Sequence, residues 1–309
     1  MAAKFHLLTG ATSGLGLATA HRMLSDPGAH LVVGARRPEA ARELAALSGR
    51  DRLRILPLDL ASLASVRDFV AAVVASLDGA TLASLGCNAG VQIVGPRRVT
   101  GDGFEETFQA NLLGHALLID GLQAHLAPDA PVVMTASGTH DPANKAARLF
   151  GFRGGIYQGI GNVAIGELDA GVSTKQQGLD RYATSKLCLI LYVYARARRR
   201  APGGPRFIAF DPGLMPGTGL ARERSTLERW GWATLLPKVA ALLPGSSTVK
   251  QSGLALTELL TSRAHPVANG AHIDYGLAST PSSVESGRVD WQDEVDAFLR
   301  RNVCREAMT

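Results

Sequence analysis

Short runs of apolar residues alternate along this chain with longer stretches in which apolar residues recur at helical spacing. Short uninterrupted apolar runs are typical of strands buried on both faces of a parallel sheet, whereas apolar residues at every third or fourth position are typical of helices. The predicted strands cover residues 5–9, 30–35, 53–58, 82–87, 132–136, 207–210 and 271–275. The predicted helices cover residues 17–24, 39–47, 63–77, 105–125, 182–200, 248–260 and 291–300. This alternation predicts an α/β fold with one doubly wound parallel sheet that carries helices on both faces.

Two stretches lie outside this alternation. Residues 140–180 are rich in glycine and lack a regular apolar period, so they are predicted to form a long insertion. A loop of this length inside a compact domain is usually functional, and we expect it to form part of a substrate pocket wall; a surface loop without function is the alternative. Residues 214–244 are helical and apolar in pattern. We expect a helical lid over the substrate there, although a subunit interface or a membrane-contact patch fits the same pattern.

The first predicted strand runs directly into a glycine-rich turn that is followed by a helix. Gly10 allows a tight turn, Gly14 lets the backbone approach a pyrophosphate, and Gly16 lets the helix pack closely on the strand. Glycine turns are common in α/β proteins, but a strand before and a helix after favour a dinucleotide site. The predicted cofactor-binding residues of this turn are Gly10, Thr12, Ser13, Gly14, Leu15 and Gly16. Residues 1–309 are therefore predicted to form a single Rossmann-type domain.

The second predicted strand ends at Arg36 and Arg37, where a site selective for NAD usually carries an acidic residue for the ribose 2′-hydroxyl. Two guanidinium groups suit a 2′-phosphate, because they form charge-assisted and often bidentate hydrogen bonds with it. We therefore expect NADP(H) as the cofactor, with NAD less favoured. A pair of solvated loop arginines is the other interpretation.

Tyr182 and Lys186 stand four residues apart in a predicted helix, so both side chains leave the same face. A phenol ordinarily titrates near pH ~10, and a neighbouring ammonium group favours the phenolate and lowers that pKa. Tyr182 would then act as a general acid or base, although a half-buried ring beside a solvated charge is the ordinary interpretation of such a pair. Ser137 follows a predicted strand, where parallel sheets place chemistry, and Asn111 lies inside a helix, where Asn is unfavourable.

Taken in order, the glycine turn, Cys87-Asn88-Ala89-Gly90, Asn111, Ser137 and the pair Tyr182 and Lys186 make the chain resemble the short-chain dehydrogenase/reductase family. The resemblance implies that Ser137 steadies the substrate oxygen, that Lys186 lowers the pKa of Tyr182 and holds the ribose, and that Asn111 feeds a proton relay. It also implies cofactor contacts from Asp59, Leu60, Asn88, Ala89, Gly90, Tyr182, Lys186, Pro212, Gly213 and Thr218. Ser137 and Tyr182 are further apart than is common in the family, which places the insertion between two catalytic residues.

Within the family, residues 182–188, 212–213 and 217–223 resemble the light-dependent protochlorophyllide reductases and the retinol-dehydrogenase-like group. Cys188 falls where the former group carries a Cys, although a packed thiol is the simpler interpretation. The resemblance implies an NADP(H)-dependent ketoreductase that acts on the carbonyl or alcohol group of a bulky, largely apolar small molecule. Reduction of a carbon–carbon double bond is the alternative reaction. A non-catalytic NADP(H)-binding sensor or scaffold is the alternative from another class.

Composition and charge narrow the classes of partner. The 309 residues carry a net charge of +5, but the arginines are scattered and aromatic residues make up only 6%, so no nucleic acid is expected as a partner. The three cysteines lack metal-ligand spacing, so we expect neither a metal site nor a disulfide framework, which fits a cytoplasmic location. The first residues leave no room for a signal peptide, and no apolar stretch is long enough for an integral membrane segment. A homodimer or homotetramer is usual in the resembling family.

Overall fold

A seven-stranded parallel sheet forms the centre of the computed structural model, which describes residues 3–47, 51–215, 245–262 and 267–304. In chain order, the strands are β1 Lys4–Thr9, β2 Ala29–Ala35, β3 Leu53–Pro57, β4 Leu82–Cys87, β5 Pro131–Thr135, β6 Arg206–Asp211 and β7 Ala271–Asp274. Their order across the sheet is β3-β2-β1-β4-β5-β6-β7, and every neighbouring pair is parallel. The winding of the chain therefore reverses between β1 and β4, which is where folds of this kind form a ligand-binding crevice.

Helices cover both faces of the sheet, as the apolar pattern predicts. They are α1 Gly14–Leu24, α2 Arg42–Ala45, α3 Leu63–Leu77, α4 Glu106–Phe108, α5 Gly114–Leu122, α6 Lys145–Leu149, α7 Ile160–Ile165, α8 Thr174–Arg198, α9 Val249–Thr261 and α10 Val289–Cys304, with a π-helix, Gln109–Leu113, between α4 and α5. Short 3₁₀ turns cover Pro38–Ala40, Gln123–His125, Gly138–His140 and Glu285–Gly287. One apolar core includes residues of α3, α5 and α8, and a second includes residues of α1 and α9. Removal of these apolar faces from water stabilises the layers.

Two predicted helices have different limits in the structure. The helix predicted over residues 39–47 is divided into the 3₁₀ turn Pro38–Ala40 and the short α2. Helix α8 begins at Thr174 rather than at Tyr182, because Ser173 caps its amino end and accepts a hydrogen bond from the Gln176 amide at 3.3 Å. The insertion predicted over residues 140–180 is therefore shorter at its carboxyl end than the sequence indicates.

The insertion between β5 and α8 contains α6 and α7, so it is partly helical rather than irregular throughout. An ion pair attaches it to α8, since Arg153 Nη2 lies 2.5 Å from Oδ2 of the buried Asp180. The Ile156 amide also donates a hydrogen bond to Thr184 Oγ1 at 2.9 Å. The insertion is thus fixed against the helix that carries Tyr182.

Most of the predicted lid over residues 214–244 lies outside the described residues, which stop at residue 215 and resume at residue 245. None of the helices in the described ranges is long and apolar enough to cross a membrane. Within the same ranges, no cluster of three or more His, Cys, Asp or Glu side chains is placed to hold a metal ion.

Candidate active site

A cleft of about 400 Å³ lies at the carboxyl edge of the sheet, where the winding reverses between β1 and β4. Residues from the ends of several strands converge on its wall, because parallel strands all end at the same edge. The predicted cofactor residues on this wall are Gly10, Thr12, Ser13, Gly14, Leu15, Gly16, Arg36, Asp59, Leu60, Asn88, Ala89, Gly90, Tyr182, Lys186, Pro212 and Gly213. Thr218 lies outside the described residues. The structure therefore brings together groups that the sequence scatters over two hundred positions.

The glycine turn packs directly against the end of β4. Gly10 has φ of +67°, and a Cβ added there would lie 2.7 Å from the Ala89 Cα, closer than real side chains approach. Asn88 Nδ2 donates to the carbonyl oxygens of Thr9 at 3.1 Å and Gly10 at 3.2 Å. Glycine at position 10 is therefore required both by the left-handed backbone and by the close approach of the two loops.

The two adjacent arginines after β2 differ in position. Arg36 lines the cleft beside Gly34 and Ala35, at the end of β2. Arg37 is exposed and is not part of the described cleft wall. Arg36 therefore borders the cleft and Arg37 stands next to it on the surface, and the contact of these two guanidinium groups with a cofactor stays a prediction.

A second cavity of about 300 Å³ adjoins the cleft, and Ser137 and Tyr182 belong to the walls of both. Its apolar wall comes largely from the insertion and the segment after β6, and comprises Ala146, Ala147, Phe150, Phe152, Leu214 and Met215. The Phe152 ring lies 6.1 Å from the Tyr182 ring, centroid to centroid. A molecule in the second cavity would therefore meet the cleft at a hydroxyl and a phenol.

The pKa of Tyr182 is shifted in the direction opposite to the sequence-based expectation. Burial raises the pKa of this phenol to about 12, although a hydrogen bond with Ser137 opposes the shift. The Lys186 ammonium donates to the Thr135 carbonyl oxygen at 2.7 Å and lies 5.8 Å from the centre of the tyrosine ring. Burial lowers the pKa of Lys186 to about 8, while the Asp211 carboxylate raises it. Desolvation thus dominates both groups, and Tyr182 is a neutral phenol at pH 7.

Asn111 lies in the π-helix and is fully buried behind the cleft. Its side chain accepts a hydrogen bond from the Val91 amide at 2.8 Å and donates to the Val91 carbonyl oxygen and to Ser185 Oγ, both at 3.0 Å. The residue that is unfavourable inside an α-helix therefore lies in a π-helix, where the regular helical hydrogen bonding is locally changed. The side chain ties the end of β4 to α8 rather than pointing into the cleft.

His115 forms a buried link that the sequence gives no reason to expect. Its Nδ1 lies 3.2 Å from the Asn111 carbonyl oxygen, and its Nε2 lies 3.0 Å from Thr9 Oγ1. Thr9 Oγ1 in turn accepts hydrogen bonds from the Asn88 and Ala89 amides, both at 3.0 Å. One imidazole therefore joins the π-helix to the glycine turn and to the loop after β4.

Sequence reasoning missed several polar residues of the second cavity, among them His140, Asp211 and His272. Asp211 could have been found, because it directly precedes Pro212 and Gly213 in a motif that was noticed. His140 and His272 carry no local signal, since nothing in the sequence near either residue shows that strands β5 and β7 bring them to one wall. Their ring centroids are 5.7 Å apart in an edge-to-face arrangement.

The cleft suits a dinucleotide in both shape and chemistry. The amino end of α1 points its N–H groups to the glycine turn and has no acidic residue in its first turn, so anionic phosphates are favoured there. Gly10 carries no side chain, which allows the close approach of the turn to the Ala89 backbone. An arginine at the end of β2 supplies positive charge next to the wall.

A parallel sheet of this strand order, with a glycine turn at its switch point, defines the dinucleotide-binding class of α/β proteins. A family model described as short chain dehydrogenase matches residues 4–145. The WW domain-containing oxidoreductase of Danio rerio is 36% identical over 246 residues, which cover 77% of this chain and 54% of that protein. The chain belongs to the short-chain dehydrogenase/reductase family, a family of oxidoreductases, and the family prediction is confirmed.

Two further similarities cover more of the chain. The chloroplastic protochlorophyllide reductase of Daucus carota is 29% identical over 313 aligned residues, which cover 93% of this chain and 76% of that protein. A crystal structure of NADPH-bound carbonyl reductase from chicken fatty liver superposes with a TM-score of 0.64 at 19% identity and covers 91% of this chain and 95% of that one. The structural similarity confirms the predicted fold. The chain spans about half the length of the Danio rerio relative, so that protein's activity is not transferred to it.

Proposed function

We propose that this protein is an NADP(H)-dependent oxidoreductase that acts on the carbonyl or alcohol group of a bulky, largely apolar small molecule. One observation carries the proposal. The walls of the cleft and of the second cavity share the polar side chains Gln92, Ser137 and Tyr182, and the last two carry a hydroxyl hydrogen that can be donated to a substrate oxygen. A substrate oxygen held between them would lie beside the reactive end of a cofactor that occupies the cleft.

The residues of the cleft would hold NADP(H), and the bound cofactor would supply or accept the hydride. The glycine turn and the amino end of α1 would hold the pyrophosphate, and Asp59 and Leu60 would flank the adenine. Arg36 would pair with the 2′-phosphate. Pro212 and Gly213 would lie against the nicotinamide end, next to Tyr182.

Tyr182 would exchange a proton with the substrate oxygen. Because burial raises the pKa of this residue to about 12, its phenol carries a proton at neutral pH and suits the acid role that carbonyl reduction requires. Ser137 would donate a hydrogen bond to the same oxygen and stabilise the negative charge that develops on it. Lys186, with a pKa lowered to about 8, is near enough to neutral pH to resupply the proton.

Reduction of a carbon–carbon double bond remains the second candidate reaction, because the similarity to a protochlorophyllide reductase extends over 93% of the chain. The position of Cys188 indicates that its thiol takes no direct part in such a double-bond reduction. This residue is fully buried in the core and belongs to neither of the two described cavity walls. Burial also raises the pKa of its thiol, so it is a poor proton donor to anything in the cleft.

The catalytic part of the proposal is tested by NADPH oxidation with bulky ketones, aldehydes, quinones and enones. Tyr182→Phe is expected to lower kcat for ketones by at least ~100-fold, the usual size of a general-acid contribution. Tyr192→Phe is the matched control, because Tyr192 is also buried in α8 but packs against Phe207 in the core. Equal activity of wild-type protein and Tyr182→Phe would refute the role of Tyr182. Turnover of enones alone would favour the second candidate.

The cofactor part is tested by fluorescence titration of NADPH and NADH into the same protein. Arg36→Ala is expected to weaken NADPH binding about tenfold or more and to leave NADH binding unchanged, since only NADPH carries the 2′-phosphate. Arg37→Ala is the comparison variant, because its side chain lies outside the described cleft wall, and it measures whether the second predicted guanidinium group contributes to NADPH binding. Tight NADPH binding without turnover of any substrate would instead indicate a sensor or scaffold.

A further inference from the structure

The second cavity has a polar corner, defined here as Asp211, His272, Asp274 and Thr280, at the ends of β6 and β7. In the register of these strands Ala209 pairs with His272 and Asp211 pairs with Asp274. Because side chains alternate along a strand, the imidazole and both carboxylates project from the same face of the sheet. The corner is therefore a product of strand register and not of a flexible loop.

His272 is the unusual member of the polar corner. It is 6% exposed, and its Nδ1 lies 3.0 Å from Thr280 Oγ1. Its Nε2 is buried and has no hydrogen-bond partner among the described residues. An unsatisfied buried polar atom destabilises a protein, so an unpaired ring nitrogen on a residue that lines a cavity indicates a contact with a polar group of a ligand.

The neighbouring His140 differs from His272 in the hydrogen bonding of its ring nitrogens. His140 Nδ1 lies 2.7 Å from the Ser137 carbonyl oxygen, which can only accept, so this nitrogen carries the proton. His140 Nε2 accepts a hydrogen bond from the Ser283 amide at 3.3 Å. Both ring nitrogens of His140 are therefore satisfied within the protein. On the described wall of this cavity, the buried side-chain atoms without a partner are His272 Nε2 and Gln92 Nε2, and Gln92 lies where this cavity meets the cleft, outside the polar corner.

The charge of the corner restricts the ligand further. Asp211 and Asp274 are carboxylates, and no Lys or Arg is among the described residues of this cavity wall. Burial lowers the pKa of His272, whereas Asp211 raises it. A ligand carboxylate or phosphate would be repelled by the two aspartates. A hydroxyl can donate to a carboxylate and can pair with either tautomer of His272, whereas an ammonium group can pair with Nε2 only in the tautomer whose proton is on Nδ1.

We propose that the polar corner binds a neutral hydroxyl group of the substrate, distant from the reacting oxygen. The protein would then select bulky carbonyl compounds or alcohols that carry a second hydroxyl, and discriminate against those that carry a carboxylate. This inference rests on the proposed function, because it assigns a second contact point to the substrate of the same site.

The test uses 4-phenylbutan-2-one and its para-hydroxymethyl, para-carboxylate and para-aminomethyl derivatives as probes. In wild-type protein, kcat/KM for the hydroxymethyl ketone is expected to exceed that for the parent by about 5- to 10-fold, the value of one hydrogen bond, and the carboxylate is expected to be the poorest substrate. His272→Phe should abolish the preference for hydroxymethyl over parent. His125→Phe is the control, because His125 lies at the opposite edge of the sheet, next to the start of β4.

Asp211→Asn provides an independent readout, because it should raise the kcat/KM of the carboxylate ketone relative to the parent. A preference of wild-type protein for the carboxylate or the aminomethyl ketone, or an unchanged hydroxymethyl preference in His272→Phe, would overturn the proposal. Calorimetric binding of the four ketones in the presence of NADP⁺, which cannot reduce them, tests the corner without turnover. Selective binding without any turnover would refute the proposed reaction and leave the hydroxyl site standing.

Discussion

The buried imidazole of His115 should make this protein sensitive to mild acid. In the neutral ring, Nδ1–H donates to the Asn111 carbonyl oxygen, so Nε2 must accept from Thr9 Oγ1–H. Protonation would make Nε2 a donor, would turn the Thr9 hydroxyl toward the more distant Gly86 carbonyl oxygen at 3.5 Å, and would add a charge near Lys186. Burial accordingly lowers the pKa of His115 from 6.5 to about 4, and Lys186 contributes to that shift.

The loss of stability in acid follows from the difference between the pKa of His115 in the folded chain and its pKa in the unfolded chain. The folded state prefers the neutral ring, so its contribution is fully present above pH 6.5 and is lost as the pH falls toward 4. At about 1.4 kcal/mol per pKa unit, the neutral His115 ring contributes about 3 kcal/mol to the free energy of unfolding. About 2 kcal/mol of this contribution is lost between pH 7 and pH 5. His6, whose pKa burial also lowers to about 4, adds a second contribution of the same sign.

Urea unfolding followed by far-ultraviolet circular dichroism at pH 7 and pH 5 measures this loss. His115→Gln retains a hydrogen-bonding side chain that cannot take up a proton in this range. Its loss of unfolding free energy between the two pH values should be about 2 kcal/mol smaller than that of wild-type protein. His21→Gln, a change of an exposed histidine on α1, should behave like wild type. An identical pH dependence of His115→Gln and wild type would refute the reasoning.

Three further outcomes are expected. Gly10→Ala should weaken NADPH binding at least ~10-fold, because its Cβ would meet the Ala89 backbone at 2.7 Å. Gly79→Ala, at a position that also has a positive φ but open space around it, should lose stability only. Fluorescence titration with NADPH distinguishes the two variants. Cys188→Ala should unfold about 1–2 kcal/mol more easily in urea yet retain ketone reduction, and loss of reduction by a folded variant would contradict the assignment of this thiol to the core. Arg153→Gln, which leaves the buried Asp180 carboxylate without its ion pair, should speed thermolysin cleavage in the insertion, unlike Arg97→Gln at the exposed pair with Glu167.

The strands and the nucleotide cleft were predictable because each depends on local pattern. Apolar runs located all seven strands to within a few residues, since a strand buried on both faces has no other composition. The glycine turn was informative for a similar reason, because φ of +67° at Gly10 together with the close approach of the Ala89 backbone favours glycine there. The π-helix was not predicted, although Asn111, which is unfavourable inside an α-helix, lies within it.

Features that depend on burial or on strand register could not be predicted in this way. The pKa of Tyr182 is governed by desolvation in the folded protein, which a four-residue spacing to Lys186 does not report. The early start of α8 depends on Ser173, a capping residue within a stretch whose glycines suggested a loop. Asp211 and His272 share a wall only because β6 and β7 are neighbours in one register.

The hydrogen bonds of His140 also connect Ser137, the proposed catalytic serine, to a segment that carries no motif. The ring spans from the Ser137 carbonyl oxygen to the Ser283 amide, and Ser283 follows His140 by 143 positions. A shift of the backbone at Ser283 would therefore be transmitted through one rigid imidazole to Ser137. Substitutions in the buried turn around Ser283 lie outside every active-site motif. They could nevertheless change the reactivity of the site by moving Ser137, without any change at a proposed catalytic residue.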